Sequence, residues 1–402
     1  MKKATRILRT VVVGALLAVV AACGGSSDTS APEASCTSPG VTADKVEAGV
    51  VISDSGSGSD AFSSARAGVN ARFRLANANG GVHGRDIEYT WRDDASQPEE
   101  SVRAANELVQ KESVFGILPI TTALTGALDG LQKDGVPVVG FALPSWSSYS
   151  NLFAYSYISD PTAIGRYFMN AGATKVGFVM TGTAESTTQA AQKYLRAFAA
   201  IGLDTTDMTP YVASVDSPTQ IMGRLKDADV DALIGFTVPT DLANLIGAAR
   251  DIGMPLKATI SLTGYDQTVL QSLGQKLAGV SFDVHFRPFE SPDAAIDTYR
   301  KAMATFSPET QSDQQWAMWG YIYADMFVKG LEVAGDCPTR DSFITGLRQV
   351  HQYNAGGLIE TVDFATNATQ PAPCMSFVQI NAAGSAFELV NERLCNDGTT
   401  GQ

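Results

Sequence analysis

The segment SDSGSGSDA, residues 53–61, carries the residue types in this chain that most suggest chemistry. It follows the apolar run EAGVVI and precedes a helical pattern, and Gly56, Gly58 and Ala61 fit the spacing G-x-G-x-x-A. In a dinucleotide-binding fold, such small residues let a pyrophosphate approach the backbone N–H groups at a helix N-terminus. The spacing is common in glycine-rich loops, so it suggests a nucleotide loop, a loop that holds another polar group, or a solvated Ser/Gly loop.

Other residues argue against a nucleotide and against catalysis. A dinucleotide fold places an acidic residue about 20 residues on, whereas Asp93 and Asp94 lie well beyond that distance. The chain has no G-x-S-x-G, H-E-x-x-H or C-x-x-C motif, and its three histidines, His83, His285 and His351, are dispersed. The sequence therefore predicts no enzyme, no metal and no cofactor.

The first 23 residues predict export. MKKATRILRTVVVGALLAVVAAC places positive charges ahead of an apolar run that is too short to span a bilayer. Its end, Val20-Ala21-Ala22-Cys23, resembles the lipobox of bacterial lipoproteins, in which the cysteine is acylated; an ordinary signal peptide is the alternative. Residues 24–41 are predicted to be a flexible tether that links a lipid on Cys23 to the folded body. A chain held outside the cell membrane meets no nicotinamide pool, which further disfavours the nucleotide hypothesis.

Composition limits the partners and the number of domains. The formal charge of −13 becomes −17 without the first 23 residues, and such an acidic chain is a poor partner for nucleic acid or anionic lipid. The rest of the chain is longer than one hydrophobic core usually covers, so two domains are expected.

Four cysteines remain after Cys23, and an even number outside the cell suggests two disulfides. Three pairings are possible. We favour Cys337 with Cys374, because a helix and a strand between them would return the chain to its starting point, and this leaves Cys36 with Cys395.

Short apolar runs alternate with amphipathic stretches from residue 45 to about 142, and the same order restarts after residue 155. This alternation predicts an α/β protein with two doubly wound parallel-sheet lobes. Crossings between the lobes are expected near residues 143–157 and 279–290, and the tail is expected to cross back and form a hairpin.

Ligands of open α/β sheets bind at the carboxyl ends of the strands, next to helix N-termini. The residues that follow the predicted strands are therefore the candidate ligand contacts: Ser55, Ser57, Thr121, Thr122, Leu143, Ser145, Trp146, Glu185, Thr240 and Tyr265.

Three segments carry a resemblance to a known family: residues 75–109, LANANGGVHGRDIEYTWRDDASQPEESVRAANELV; residues 133–142, KDGVPVVGFA; and residues 316–335, WAMWGYIYADMFVKGLEVAG. Together with the order of elements, they resemble the type I periplasmic binding proteins, specifically the branched-chain amino-acid group. The resemblance implies two lobes joined by a three-crossing hinge. Residues 42–145 plus 288–355 would form lobe 1, and residues 146–287 plus 356–395 would form lobe 2.

The resemblance also implies particular contacts. Thr122 would hold a ligand carboxylate, and Trp316 would pack against the ligand. The family's acidic contact for an α-ammonium is replaced by Thr240, so either Asp241 or Glu185 takes that role or the ligand lacks an α-amino group.

The expected function is that of a lipid-anchored, monomeric solute receptor that presents a small polar ligand, an amino acid or related amide or carboxylate, to the membrane permease of an ABC importer. The alternative is a receptor that reports the ligand to a membrane kinase.

Overall fold

A computed structural model describes residues 36, 38–143, 145–156, 160–183, 185–369 and 372–400. The predicted signal peptide, the predicted lipidation site Cys23 and most of the predicted tether lie outside the described residues. Residues 36–402 fall in one compact unit.

The first part of the chain alternates strands with helices in the predicted order. Its elements are β1 (Lys45–Ile52), α1 (Ser59–Phe62), α2 (Ala65–Ala78), β2 (Asp86–Asp93), α3 (Pro98–Gln110), β3 (Gly116–Ile120), a 3-10 turn (Leu124–Ala127), α4 (Leu128–Lys133), β4 (Val138–Val139), a 3-10 turn (Trp146–Ser148) and β5 (Leu152–Phe153).

The middle part repeats the alternation. Its elements are α5 (Pro161–Asn170), β6 (Lys175–Thr181), α6 (Glu185–Ala200), β7 (Asp204–Tyr211), α7 (Pro218–Asp227), β8 (Ala232–Phe236), α8 (Pro239–Asp251), β9 (Ala258–Ser261), α9 (Gln267–Leu273) and β10 (Val280–Val284).

The last part supplies three helices, a 3-10 turn and a hairpin. These are α10 (Ala294–Phe306), α11 (Gln315–Ala334), α12 (Arg340–Arg348), a 3-10 turn (Ala355–Gly357), β11 (Cys374–Ile380) and β12 (Phe387–Cys395).

The strands form two sheets, which confirms the predicted fold class. The first sheet has the order β2-β1-β3-β4-β5 and is parallel throughout. The second has the order β12-β11-β10-β9-β8-β6-β7, in which only the β11 and β12 pairings are antiparallel. The strand order changes direction between β1 and β3 in the first sheet and between β6 and β8 in the second. Such reversals leave a crevice at the carboxyl ends of the strands.

The observed lobes extend beyond the proposed boundaries in three places. Strand β5 pairs with β4 in the first sheet, although it lies beyond residue 145. Phe364, assigned to lobe 2, packs its ring against Phe153 of β5 at 6.2 Å. Cys36 and the buried Val41, within the predicted tether, already belong to the folded body. The chain therefore crosses between the sheets later than the apolar pattern indicated.

Helices α2 and α11 lie against each other at a contact made possible by glycine. A Cβ on Gly320 would lie 2.0 Å from the carbonyl oxygen of Ala65, and a Cβ on Gly68 would lie 1.8 Å from that of Ala317. The two backbones thus touch where no side chain fits. This contact fixes the position of α11, whose first turns reach the candidate site.

The structure contains two disulfides, as predicted, but the predicted pairing is wrong. Cys36 pairs with Cys337 at a Cα–Cα distance of 5.1 Å, and Cys374 pairs with Cys395 at 3.9 Å. Cys374 and Cys395 are register partners across the β11–β12 hairpin. The helix after Cys337, α12, packs its Phe343 ring against Phe115 and against Phe153 of the first sheet, whereas Cys374 belongs to the second sheet, so Cys337 and Cys374 do not meet.

The two disulfides are expected to differ in their contribution to stability. Cys36–Cys337 closes a separation of 301 residues and Cys374–Cys395 one of 21. Loop-closure entropy predicts that replacing the first pair by alanine lowers the free energy of unfolding by about 6 kcal/mol, and replacing the second by about 3 kcal/mol. Urea unfolding of both double variants measures this difference. Peptide mapping that links Cys337 to Cys374 would contradict the observed pairing.

Candidate functional site

A cavity of about 340 Å³ lies between the carboxyl ends of the two sheets. Its lining comes from both switch points and from the start of α11: Ser57, Gly58, Ala61, Phe62, Ser96, Thr122, Phe141, Ala142, Leu143, Ser156, Pro161, Thr181, Thr187, Ala190, Lys193, Tyr194, Phe236, Thr237, Val238, Leu262, Thr263, Asp283, His285, Gln315, Trp316 and Trp319. This position is where an open α/β fold holds a ligand.

The glycine-rich loop after β1 is held by the next loop along the sheet. Asp93 Oδ1 accepts hydrogen bonds from the backbone N–H groups of Asp54 and Ser55, at 3.0 and 3.1 Å, and Oδ2 accepts from the Ser55 hydroxyl. Burial alone would raise the pKa of Asp93, but these bonds outweigh it and lower that pKa. The carboxylate therefore shapes the loop that carries Ser57.

Gly56 is needed for the same contact between loops. Its φ is +82°, and a Cβ there would lie 2.1 Å from the carbonyl oxygen of Ala95. The G-x-G spacing thus serves close loop packing. Asp94 has a parallel role, since its Oδ1 accepts from the buried Ser53 hydroxyl at 2.8 Å.

Aromatic rings form much of the cavity wall. Trp316 packs edge-on against Phe62, with ring centroids 4.4 Å apart, and against Phe141 at 5.1 Å. Trp319 lies one helical turn on, 4.8 Å from Trp316. From the second sheet, Tyr194 packs edge-on against Phe236 at 5.0 Å. These rings offer a broad apolar surface to the body of a ligand.

Charged groups enter the cavity from the second sheet. Lys193 reaches it from α6, and burial followed by the nearby charge of Arg196 lowers the pKa of its ammonium. Asp283 and His285 lie at the end of β10, with His285 Nε2 3.1 Å from Asp283 Oδ2. The lining thus combines an apolar wall with a small number of polar and charged groups, as in small-molecule sites.

Four of the predicted contacts line the cavity: Ser57, Thr122, Leu143 and Trp316. They come from three different strand ends and from α11. Strand order therefore brings three of the first-sheet candidates to the cavity wall, and Trp316 reaches it from α11; their contact with a ligand stays a prediction.

Four further candidates of the first sheet serve structure instead. Ser55 bonds to Asp93, and the buried Thr121 hydroxyl accepts from the backbone N–H of Ala123 at 3.0 Å. Trp146 is fully buried in the apolar cluster beside α4, and Ser145 precedes its 3-10 turn.

The candidates of the second sheet also miss the lining. Glu185 is exposed and accepts from Gln189 at 3.1 Å, and Thr240 is exposed on α8. Asp241 lies behind the wall, where it accepts from the hydroxyl of Thr181 at 2.6 Å. The buried Tyr265 donates its hydroxyl to Glu290.

Sequence reasoning missed Lys193, Asp283, His285 and Trp319. Two patterns carried a signal. Asp283 and His285 alternate in the apolar strand sequence VSFDVHF, and Trp319 lies one turn after Trp316 on the same helix.

The described ranges contain no group of three His, Cys, Asp or Glu side chains placed to hold a metal ion. No helix in the same part of the chain has the length and apolar character needed to cross a membrane.

Two α/β sheets that face a shared ligand-sized cavity define a two-lobed binding protein. The family model described as "Periplasmic binding protein" matches residues 45–385. The chain belongs to this family, whose members bind solutes and are not enzymes, as the sequence predicted.

Solved structures of the type I fold resemble the chain at low identity. A fatty acid ABC transporter substrate-binding protein from Thermomonospora curvata superposes with a TM-score of 0.78 and 20% identity, over 90% of this chain and 95% of that one. A solute-binding protein of an ABC transporter from R. palustris, in complex with benzoate, gives 0.72 and 14%, over 86% and 95%. A branched-chain amino acid transporter substrate-binding protein from Streptococcus pneumoniae, in complex with isoleucine, gives 0.72 and 18%, over 86% and 99%. A comparison with curated protein sequences finds no significant match.

Proposed function

We propose that the protein is an extracytoplasmic solute receptor of an ABC importer, anchored by a lipid on Cys23, whose two lobes close on a small organic carboxylate with an apolar body. The observation that carries the proposal is the cavity itself, because residues from both sheets and from α11 meet around one ligand-sized space. A ligand that contacts both lobes favours the closed state by its additional contacts there.

The lining favours a carboxylate. Lys193 supplies a cation, and the hydroxyls of Ser57, Ser96 and Thr122 lie in the wall contributed by the first sheet. The structurally similar proteins named above bind a fatty acid, benzoate or isoleucine, each of which carries a carboxylate.

Neither acidic side chain that the resemblance offered for an α-ammonium lines the cavity, and the carboxylate that does line it, Asp283, already contacts His285. Glu185 lies outside the cavity, and Asp241 accepts a hydrogen bond from the Thr181 hydroxyl behind the cavity wall. The broad aromatic surface of Trp316, Trp319 and Phe141 suits an aromatic or aliphatic body. We therefore rank apolar monocarboxylates ahead of amino acids.

A thermal-shift screen of the full-length protein in mild detergent tests the function. A ligand that binds only the folded state raises the melting temperature. Aromatic and aliphatic monocarboxylates are expected to give the largest shifts, and branched-chain amino acids, amides, polyamines and sugars smaller ones. A response confined to polyamines or sugars would contradict the proposed ligand class.

A pair of variants then tests the site. Trp316→Ala is expected to weaken the best ligand by about 50-fold, because it removes a buried aromatic contact. Trp91→Ala is the control, because Trp91 lies on β2 outside the cavity lining and is covered by Arg66. The ligand affinity of this variant is expected to match that of the native protein.

A further inference from the structure

The carboxylate of Asp283 has one oxygen that lacks a partner. Its side chain is 7% exposed and lines the cavity. Oδ2 lies 3.1 Å from His285 Nε2, whereas Oδ1 is buried and has no hydrogen-bond partner among the described residues. A buried acceptor left in this state costs about 1 to 3 kcal/mol. Asp283 Oδ1 is therefore placed to accept a hydrogen bond from a molecule that enters the cavity.

Trp319 brings a donor to the same end of the cavity. Its ring packs edge-on against His285, with centroids 6.4 Å apart, and His285 is the residue that holds Asp283 Oδ2. The indole Nε1–H of Trp319 is also buried and finds no acceptor within the described part of the chain. Among the described lining residues, Thr237 Oγ1 and Trp316 Nε1 also lack partners, but Asp283 and Trp319 are the two that both adjoin His285, so an acceptor and a donor without partners lie near each other on one part of the wall.

We propose that this end of the cavity recognises a hydroxyl group of the ligand, which donates to Asp283 Oδ1 and accepts from Trp319 Nε1–H. The inference rests on the proposed function and narrows its solute to a hydroxyl-substituted aromatic or aliphatic carboxylate. A hydroxyl carries both a donor and acceptor lone pairs on one atom.

Other ligand groups satisfy this end less well. An ammonium group donates to Asp283 but cannot accept from Trp319. An unsubstituted ring or alkyl chain would leave both protein groups buried without a partner. A site built around a hydroxyl discriminates strongly against an analogue that lacks it, because its own polar groups then stay unpaired.

Matched pairs of ligands test the proposal by titration calorimetry on the full-length protein. The pairs are benzoate with 3- and 4-hydroxybenzoate, 3-phenylpropanoate with its ring-hydroxylated form, and octanoate with 8-hydroxyoctanoate; 4-(aminomethyl)benzoate supplies a donor that cannot accept. In at least one pair the hydroxylated member is expected to bind about 100-fold more tightly than its parent and than the ammonium compound.

Variants assign this preference to Asp283. Asp283→Leu is expected to bring the ratio of the two affinities in the preferred pair, hydroxylated ligand to parent, close to one. Asp283→Asn keeps the side-chain shape and is expected to lower the same ratio about tenfold, because a neutral amide is the weaker acceptor. Asp241→Asn makes the same chemical change behind the cavity wall and is expected to retain the preference. The Asn variant keeps the test decisive if the Leu variant fails to fold.

The outcomes separate the two proposals. Tight binding of the parent acids with no preference for the hydroxylated forms, or a preference that survives both Asp283 substitutions, would overturn this inference and leave the proposed function in place. A failure of every carboxylate to bind would overturn the proposed function as well.

Discussion

Gly320→Ala is expected to lower the free energy of unfolding by about 3 kcal/mol. The methyl group would lie 2.0 Å from the carbonyl oxygen of Ala65 on α2, a distance that requires the two helix backbones to separate. Gly68 makes the reciprocal contact with the carbonyl oxygen of Ala317. The two helix backbones therefore also touch at Gly68, and this second contact limits how far they can slide to make room for the new methyl group. Urea unfolding measures the loss.

Gly247→Ala is the matched control. Gly247 is also inside a helix, α8, but a Cβ there meets no atom within 4 Å. Alanine is the better helix former, so this variant is expected to be more stable than the native protein by about 1 kcal/mol. Equal stabilities of Gly320→Ala and the native protein would show that α2 and α11 do not make the close contact.

The same substitution has a consequence for binding. Trp316 and Trp319 stand on α11 beside Gly320 and pack against Phe141 of the first sheet. A displaced α11 would move both indoles relative to that ring. Gly320→Ala is therefore expected to weaken ligand binding in addition to stability, whereas Gly247→Ala leaves binding unchanged.

The sequence predicted the fold because the fold depends on alternation. Runs such as VEAGVVI and ALIGF are buried in parallel strands, and amphipathic stretches between them cover the sheets. The edge strand β7 (Asp204–Tyr211) carries a weaker signal, because it is half-exposed and lacks an apolar run. Local pattern is therefore weaker where a strand is held by a single neighbour.

The sequence predicted the candidate site only in part, for a different reason. Ser57 and Thr122 follow strands of the first sheet, and strand order alone brings them to the cavity. Glu185 and Thr240 also follow strands, yet each lies at a helix start and is exposed to solvent. Which residue of a loop faces the cavity depends on helix orientation, which spacing along the chain does not encode.

The disulfides show the same limit. The hairpin of β11 and β12 was predicted, but an apolar pattern alone does not give the register that sets Cys374 opposite Cys395. The partner of Cys36 depends on where the loop after α11 lies, and that position is a tertiary property. Long-range pairings of this kind require the packed structure.

Asp266→Asn is expected to stabilise the protein above neutral pH by about 3 kcal/mol. Burial raises the pKa of Asp266 from 3.8 to about 7, and the hydrogen bond from the Gln315 backbone N–H lowers it by less than burial raises it. Below about pH 4 the carboxyl is protonated in both the folded and the unfolded chain. As the pH rises to 7, the unfolded chain loses this proton first, so the folded state loses about 4 kcal/mol.

The asparagine variant avoids this loss. Its amide oxygen can still accept from Gln315, and the additional buried N–H offsets about 1 kcal/mol of the gain. The difference in unfolding free energy between variant and native protein should therefore be largest at pH 8 and shrink steadily towards pH 4. If urea unfolding gave the same pH dependence of the unfolding free energy for the variant and the native protein, Asp266 would titrate as an ordinary carboxyl group and the prediction would be wrong.

The position of Asp266 links this titration to the cavity. Asp266 follows strand β9 of the second sheet and accepts a hydrogen bond from the backbone N–H of Gln315, the first residue of α11, which lines the cavity. The neighbouring charged groups are already paired: Arg300 with Asp313, and Glu290 with the Tyr265 hydroxyl. An ionised Asp266 is a stronger acceptor for the Gln315 N–H than a protonated one. Ligand affinity in the native protein is therefore expected to change between pH 6 and 8, and that change should be smaller in Asp266→Asn, in which the remaining ionisable groups of the lining are Lys193, Asp283 and His285.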